Sequence, residues 1–289
     1  MASALRNLLS SIPLGHTTAK NRIVSTPHGA AYGERGGLTD RYIRYHEEKA
    51  KGGCGVVMMF GSSSIHPTSV NDWAEINNWD DNIIPQFQQM SAAIHRHGAL
   101  CLSQISHRGR RGHSWYSGTP LWAPSDTREE RHREWPHVMT KLEIREVIDA
   151  WAAAAVRLKK GGYDGCDIPI YGGHLLENFL SPLANTRTDE YGGSLDNRMR
   201  LLLRVVEIEV PGRFAFDPVG CPKCVVVRII TAPEGRAWSW LSGAVRAAHP
   251  GRRAHHDRRG RPHHRAAASQ RCHCAWRCRS RVRRARVSA

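Results

Sequence analysis

Residues 175–200 read LLENFLSPLANTRTDEYGGSLDNRMR, the most patterned segment of the chain. Ser181 and Pro182 halt a helix, because proline lacks the N–H that the next turn needs. Gly192 and Gly193 permit backbone angles closed to other residues, and Ser194 is placed to cap a helix opening at Leu195. A helix, a stop, a tight turn and a new helix in such short order describe a loop closing onto a site. Arg187, Asp189 and Arg198 suit a charged network bracing that loop, with a solvated loop surface as the alternative.

On the N-terminal side of this segment, short apolar runs alternate with longer helical patterns, the rhythm of βα units on a parallel sheet. Strands are expected at Arg22 to Ser25, Gly55 to Phe60, Ala99 to Ile105 and Gly165 to Ile170. Asp40 is placed to cap a helix over Arg41 to Lys51. Ile83 to His97 repeats apolar residues at Ile83, Phe87, Met90 and Ile94. Thr140 with Glu143 spells a capping box for a helix to about Lys160, and a fourth helix runs from Leu195 to about Glu209. Between the third strand and its helix, Ser106 to Met139 is too long for a simple connection and reads as a lid or capping subdomain.

The 175–200 stretch resembles the flavin oxidoreductases of the old yellow enzyme type, which follow their fourth barrel strand with FLSP, then N-x-R-x-D-x-YGGS, then NR-x-R. The third strand end, QISHRGR, is similar to that family's Gln-x-x-His-x-Gly-Arg. The resemblance covers residues 1 to about 208 and implies an α/β fold, the (β/α)8 TIM barrel. Some 210 residues of barrel-like sequence fall short of the roughly 250 a complete barrel takes. An incomplete barrel of four to five βα units is therefore expected. FMN is the cofactor the resemblance implies, with NADH or NADPH as hydride source in its reductase members.

The resemblance also implies roles at the strand ends. Thr26 and Pro27 would present backbone groups to the flavin ring, and Gly61 would let the ring lie close. Gln104 would bond the ring's polar edge, where a carbonyl and an N–H lie side by side and match an amide side chain. Arg228, in CVVVRI, resembles the arginine that ends the fifth strand and meets the flavin's pyrimidine side. Arg110 would fix the 106–139 excursion. Read without the resemblance, the first two strand ends are an ordinary Pro turn and a Gly/Ser loop, and His107 and Arg110 are loop salt-bridge residues.

At the fourth strand end the chain departs from the enone-reducing pattern, which keeps His-x-x-His or His-x-x-Asn there for the substrate's carbonyl oxygen. Here Pro169 and Gly172 hold those positions and His174 stands in place of the proton-donating tyrosine. Tyr171-Gly172-Gly173-His174 resembles instead the Tyr-Gly-Ala-His of the trimethylamine dehydrogenase branch, and GGHLLENFLSP is similar to enzymes that demethylate N-methylated amino acids. An amine that gives hydride to the flavin needs no oxyanion pair; it needs to be neutral, and Tyr171 or His174 would help it lose a proton. Satisfied strand-end polar residues are the plainer reading of this pair.

Beyond about residue 208 the composition breaks. From Pro211 to Ala289 there are eighteen Lys and Arg against three Asp and Glu, so +15 of the formal +16 lies there. The segment has little apolar periodicity, and its Arg, His, Ala, Pro and Cys mixture is what a GC-rich gene yields out of frame; residues 209–289 are expected to be disordered or out of frame. Cys221-Pro222-Lys223-Cys224 offers one ligand pair only, so neither a metal nor an iron–sulfur cluster is expected. A polycation that binds nucleic acid or anionic lipid non-specifically is the reading from another class, but no recognition module is present. With no run of 18 apolar residues and no signal-peptide pattern, the expectation is a cytoplasmic protein with a small-molecule substrate and no membrane partner. The sequence specifies no oligomeric state.

Overall fold

A computed structural model describes residues 5–14 and 17–207. Its centre is a four-stranded parallel sheet of β1 (Val24–Ser25), β2 (Val56–Ser64), β3 (Leu100–Ser106) and β4 (Gly165–Asp167), in the spatial order β4-β3-β2-β1. Four helices alternate with the strands: α1 (Asp40–Lys51), α2 (Ile84–His95) and α3 (Lys141–Lys160) lie between them, and after the short α4 (Leu175–Leu180) comes α5 (Leu195–Val206). The chain is thus an α/β fold with four consecutive βα units of a TIM barrel. The sequence expectations beyond these residues, including the fifth strand ending at Arg228, the cysteine pair and the basic tail, lie outside the described residues.

Each helix has a local cause. Thr39, rather than Asp40, caps α1: its hydroxyl accepts the Tyr42 N–H at 3.2 Å, and Asp40 occupies the first turn, where a carboxylate favours the positive end of the helix dipole. The capping box of Thr140 and Glu143 forms as expected, and α3 buries Ile144, Val147, Trp151 and Leu158 at helical spacing. Ser194 caps α5 by accepting the Asn197 N–H. Pro182 does follow the end of α4 at Ser181. At Gly192 a Cβ would sit 2.1 Å from the Arg187 carbonyl oxygen, so this position admits only glycine.

Two strand boundaries differ from the sequence expectation. β2 continues through Gly61 to Ser64, with an irregularity in its pairing with β3 between Met59 and Ser63, so Gly61 lies within the bulged end of the strand and not in a loop after it. β4 stops at Asp167, short of Ile170, and Pro169 has no N–H to extend the ladder.

Register explains how the sheet makes a site. Val24, Val56 and Leu100 are partners across the sheet, as are Met58, Leu102 and Gly165, and Gln104 pairs with Asp167. Residues two apart share a face. One face therefore reads apolar at Val56, Met58, Leu100 and Leu102 and turns polar at Gln104 and Asp167, toward the C-terminal strand ends. The apolar part packs with Ala19, Ile12 and Leu14 of an N-terminal hairpin (Ile12–Leu14 with Thr17–Ala19). The polar part is where (β/α)8 barrels do chemistry.

Candidate active site at the strand ends

Gln104 and Asp167 are both buried, and the Gln104 Nε2 donates to Asp167 Oδ2 at 2.6 Å and to the Tyr171 hydroxyl at 3.1 Å. A carboxylate without water around it requires such donors. Thr26 and Pro27 follow β1 and Gly61 lies in β2, so parallel order brings these predicted residues to the same end of the sheet as Gln104 and Tyr171. The turn after β1 is held by His28, whose Nδ1 contacts the Thr26 carbonyl at 3.2 Å and whose Nε2 contacts the Tyr45 hydroxyl of α1 at 2.7 Å.

After Tyr171 the chain reverses through Gly172 and Gly173, both left-handed (φ 73° and 78°), and returns the His174 ring nearly parallel to that of Tyr171 with centroids 6.4 Å apart. His174 is 7% exposed. Its Nε2 faces the Arg108 Nη1 at 3.2 Å. A guanidinium only donates, so Nε2 is the acceptor and the neutral imidazole carries its hydrogen on Nδ1. That Nδ1 is buried with no partner among the described residues. Burial and the cations of Arg108 and Arg111 push the His174 pKa down to about 3, so the ring stays neutral. Arg108 is in turn bonded through Nε to the buried carboxylate of Glu75 at 3.1 Å, and Glu75 also accepts the Asn71 N–H at 2.6 Å.

His107 is not a loop ion-pair residue. It is fully buried, accepts the Gly109 N–H on Nδ1 at 3.0 Å and so turns an Nε2–H toward Thr68 Oγ1 at 2.9 Å. Thr68 then donates to His66 Nδ1 at 2.8 Å, and His66 Nε2 reaches Glu146 of α3 at 3.1 Å. This chain pins the loop after β2 to α3. The 106–139 excursion is pinned as well: Arg110 donates to the carbonyls of Thr127 and Arg128, and Arg187, paired with Asp189 at 2.6 Å, donates to those of Pro124 and Met139. Arg198 donates to the Leu180 carbonyl at 2.8 Å, so the charged loop network expected at 187–198 exists. Sequence reasoning passed over Asp167, Glu75, Arg108 and Arg111. Among the described residues, no group of three His, Cys, Asp or Glu could hold a metal ion.

The model of the NADH:flavin oxidoreductase / NADH oxidase family matches residues 7–222. The chain is 42% identical over 209 residues to an N,N-dimethylglycine/sarcosine dehydrogenase of Chromohalobacter salexigens, covering 69% of this chain and 29% of that protein. It is 41% identical over 201 residues to a multifunctional alkene reductase/demethylase of Caballeronia cordobensis, covering 69% of this chain and 30% of that protein. The chain thus spans under a third of the length of these curated relatives. An old yellow enzyme homologue from Zymomonas mobilis superposes with a TM-score of 0.67 at 26% identity, over 75% of this chain and 61% of that one.

Proposed function

The chain belongs to the NADH:flavin oxidoreductase / NADH oxidase family, and from that membership we propose that it is an FMN-dependent oxidoreductase acting on an N-methylated amine or amino acid. On the ring side of the cofactor stands a buried amide, Gln104, at the polar end of the sheet face; its two Nε2 hydrogens are donated to Asp167 and Tyr171, which fixes its orientation and makes Oε1 the atom that would accept the ring's N–H. Thr26, Pro27, Gly61 and Gln104 would hold the ring. FMN, when bound, supplies the acceptor for the hydride leaving the substrate's N-methyl carbon. Residues for the cofactor's phosphate, which this fold takes from later strands, and Arg228 lie outside the described residues.

The observation that favours an amine is the fourth strand end. Pro169 and Gly172 have no side-chain donors for a developing oxyanion, and Gly172 is left-handed, a conformation a histidine or asparagine there would adopt only with strain. The amine must bind as its free base. Positive charge from Arg108 and Arg111 disfavours the ammonium, and Tyr171, whose oxygen accepts from Gln104, has its hydroxyl hydrogen to offer the substrate. His174, with Nε2 engaged by Arg108, is placed as a donor and not as a base. A second reading, reduction of an activated alkene by NADH or NADPH, draws support from that same His174 N–H, which could hold a carbonyl oxygen, and from the alkene reductase activity in the Caballeronia relative's name.

Anaerobic mixing of the FMN-loaded protein with dimethylglycine, N-methylproline and cyclohexenone separates the two. Bleaching of the flavin by the amines, with NADH-driven enone turnover at least a hundredfold poorer, is expected, because losing one oxyanion donor costs about 10²- to 10³-fold. Efficient enone turnover without bleaching by either amine would overturn the amine reading.

A further inference from the structure

The sheet fixes which way the Gln104 amide points. Gln104 and Asp167 are register partners on the adjacent strands β3 and β4, so their side chains leave the same face side by side. Both are buried, at 2% and 0% exposure. The nitrogen and oxygen of an amide are alike in shape, and here their chemistry tells them apart. The amide atom facing Asp167 Oδ2 lies 2.6 Å from it, a separation at which a carboxylate oxygen and an amide oxygen repel, so that atom is Nε2. Its second hydrogen goes to the Tyr171 hydroxyl oxygen at 3.1 Å. A primary amide has two N–H donors, and both are then used within the protein. An amide with an open hydrogen could pair with a neighbouring ring carbonyl and ring N–H at once. This one acts outward only as an acceptor, through Oε1.

We propose that Asp167 is a positioning residue that locks the Gln104 amide as an acceptor, so that the amide selects a flavin by its ring N3–H and not by the adjacent C2 carbonyl. This rests on the flavin reading above and narrows it, because the amide then supplies one half of the pairing that the ring's polar edge could make. Asp167 acts through Gln104.

The test measures binding by calorimetry with the full chain, using FMN and 3-deaza-FMN, in which C–H replaces the ring N3–H at nearly constant shape. The unaltered chain should bind 3-deaza-FMN about ten- to hundredfold more weakly, since the N–H that Oε1 meets is gone. Gln104→Ala should bind the two alike. Asp167→Asn can donate as well as accept, so it frees the amide to turn over and should lower the preference at least threefold. The lock also has a readout without flavin. In the free chain labelled with side-chain ¹⁵N-glutamine, the Gln104 Nε2–H signals, assigned by their loss in Gln104→Ala, should lie downfield of the other glutamine amides, as hydrogens donated to a carboxylate do, and move upfield in Asp167→Asn. Equal affinity of the unaltered chain for the two flavins, or a preference that Asp167→Asn leaves unchanged, would overturn the proposal. If FMN is not bound while the downfield signals are present, the flavin reading fails and the Asp167 lock stands. If FMN binds and those signals are absent, the lock fails alone.

Discussion

Lowering the pH from 7 to 5 is expected to remove about 4 kcal/mol of stability, a large part of what a domain of this kind possesses. The cause is three histidines buried in neutral form. His46 on α1 is fully buried, stacked on Tyr42 at 5.3 Å, and neither ring nitrogen has a hydrogen-bond partner among the described residues; burial and the charge of Lys49 push its pKa to about 2. His174 is held to about 3, and burial takes His107 well below its ordinary value of 6.5. The sign follows from which state binds protons. All three folded values are depressed, so the unfolded chain takes up protons below pH 6.5 that the folded chain refuses; His46 and His174 then cost about 2 kcal/mol each by pH 5, and His107 acts in the same direction. Glu75 acts in the opposite sense, since burial outweighs Arg108 and raises its pKa. Urea titrations followed by circular dichroism at pH 7 and pH 5 measure the difference. His46→Phe keeps the ring and removes the two orphaned nitrogens, so it should stabilise the protein at pH 7 by about 1–3 kcal/mol and lower the acid sensitivity by about 2 kcal/mol. Equal stability at the two pH values would contradict the burial of these rings.

Glu75→Gln should cost about 3 kcal/mol, the low end of the range for breaking a buried ion pair. The Glu75 side chain is 2% exposed and that of Arg108 is 17%, so the guanidinium would lose its counter-charge in a place where water reaches it only in part. Relief of the carboxylate's own desolvation keeps the loss below the upper end. The paired change Glu75→Gln with Arg108→Met should recover more than half of it, because no charge then remains buried. A double-mutant cycle in urea reads the coupling. Additive losses would show that the two side chains act independently.

The fold was legible in the sequence because period and punctuation agreed. The capping box at Thr140, the Pro182 stop and the Ser194 cap each act through the backbone within a few residues, and all three appear as read. Thr39 was missed in favour of Asp40 because both suit a cap and only the chain's entry angle chooses between them. The end of β2 at Gly61 depends on how Ser63 and Ser64 pair with β3, which no local pattern records. At the site, Gln104, Tyr171 and His174 were found through their motifs. Asp167 left a signal that went unused: a carboxylate inside the apolar run GCDIPI can be buried only with a partner. Glu75, Arg108 and Arg111 left none, since Glu75 and Arg108 meet across 33 residues of chain and Arg111 reaches the site only through the turn of Gly173.

The strand ends around Gln104 are proposed to hold a flavin ring. Titrating FMN with the full chain and with Gln104→Ala, following flavin fluorescence, tests it most directly. Saturable quenching by the unaltered chain and at least tenfold weaker binding by the variant are expected, since the amide that meets the ring's polar edge is gone. Equal affinity for the two proteins, or no quenching by either, would contradict it.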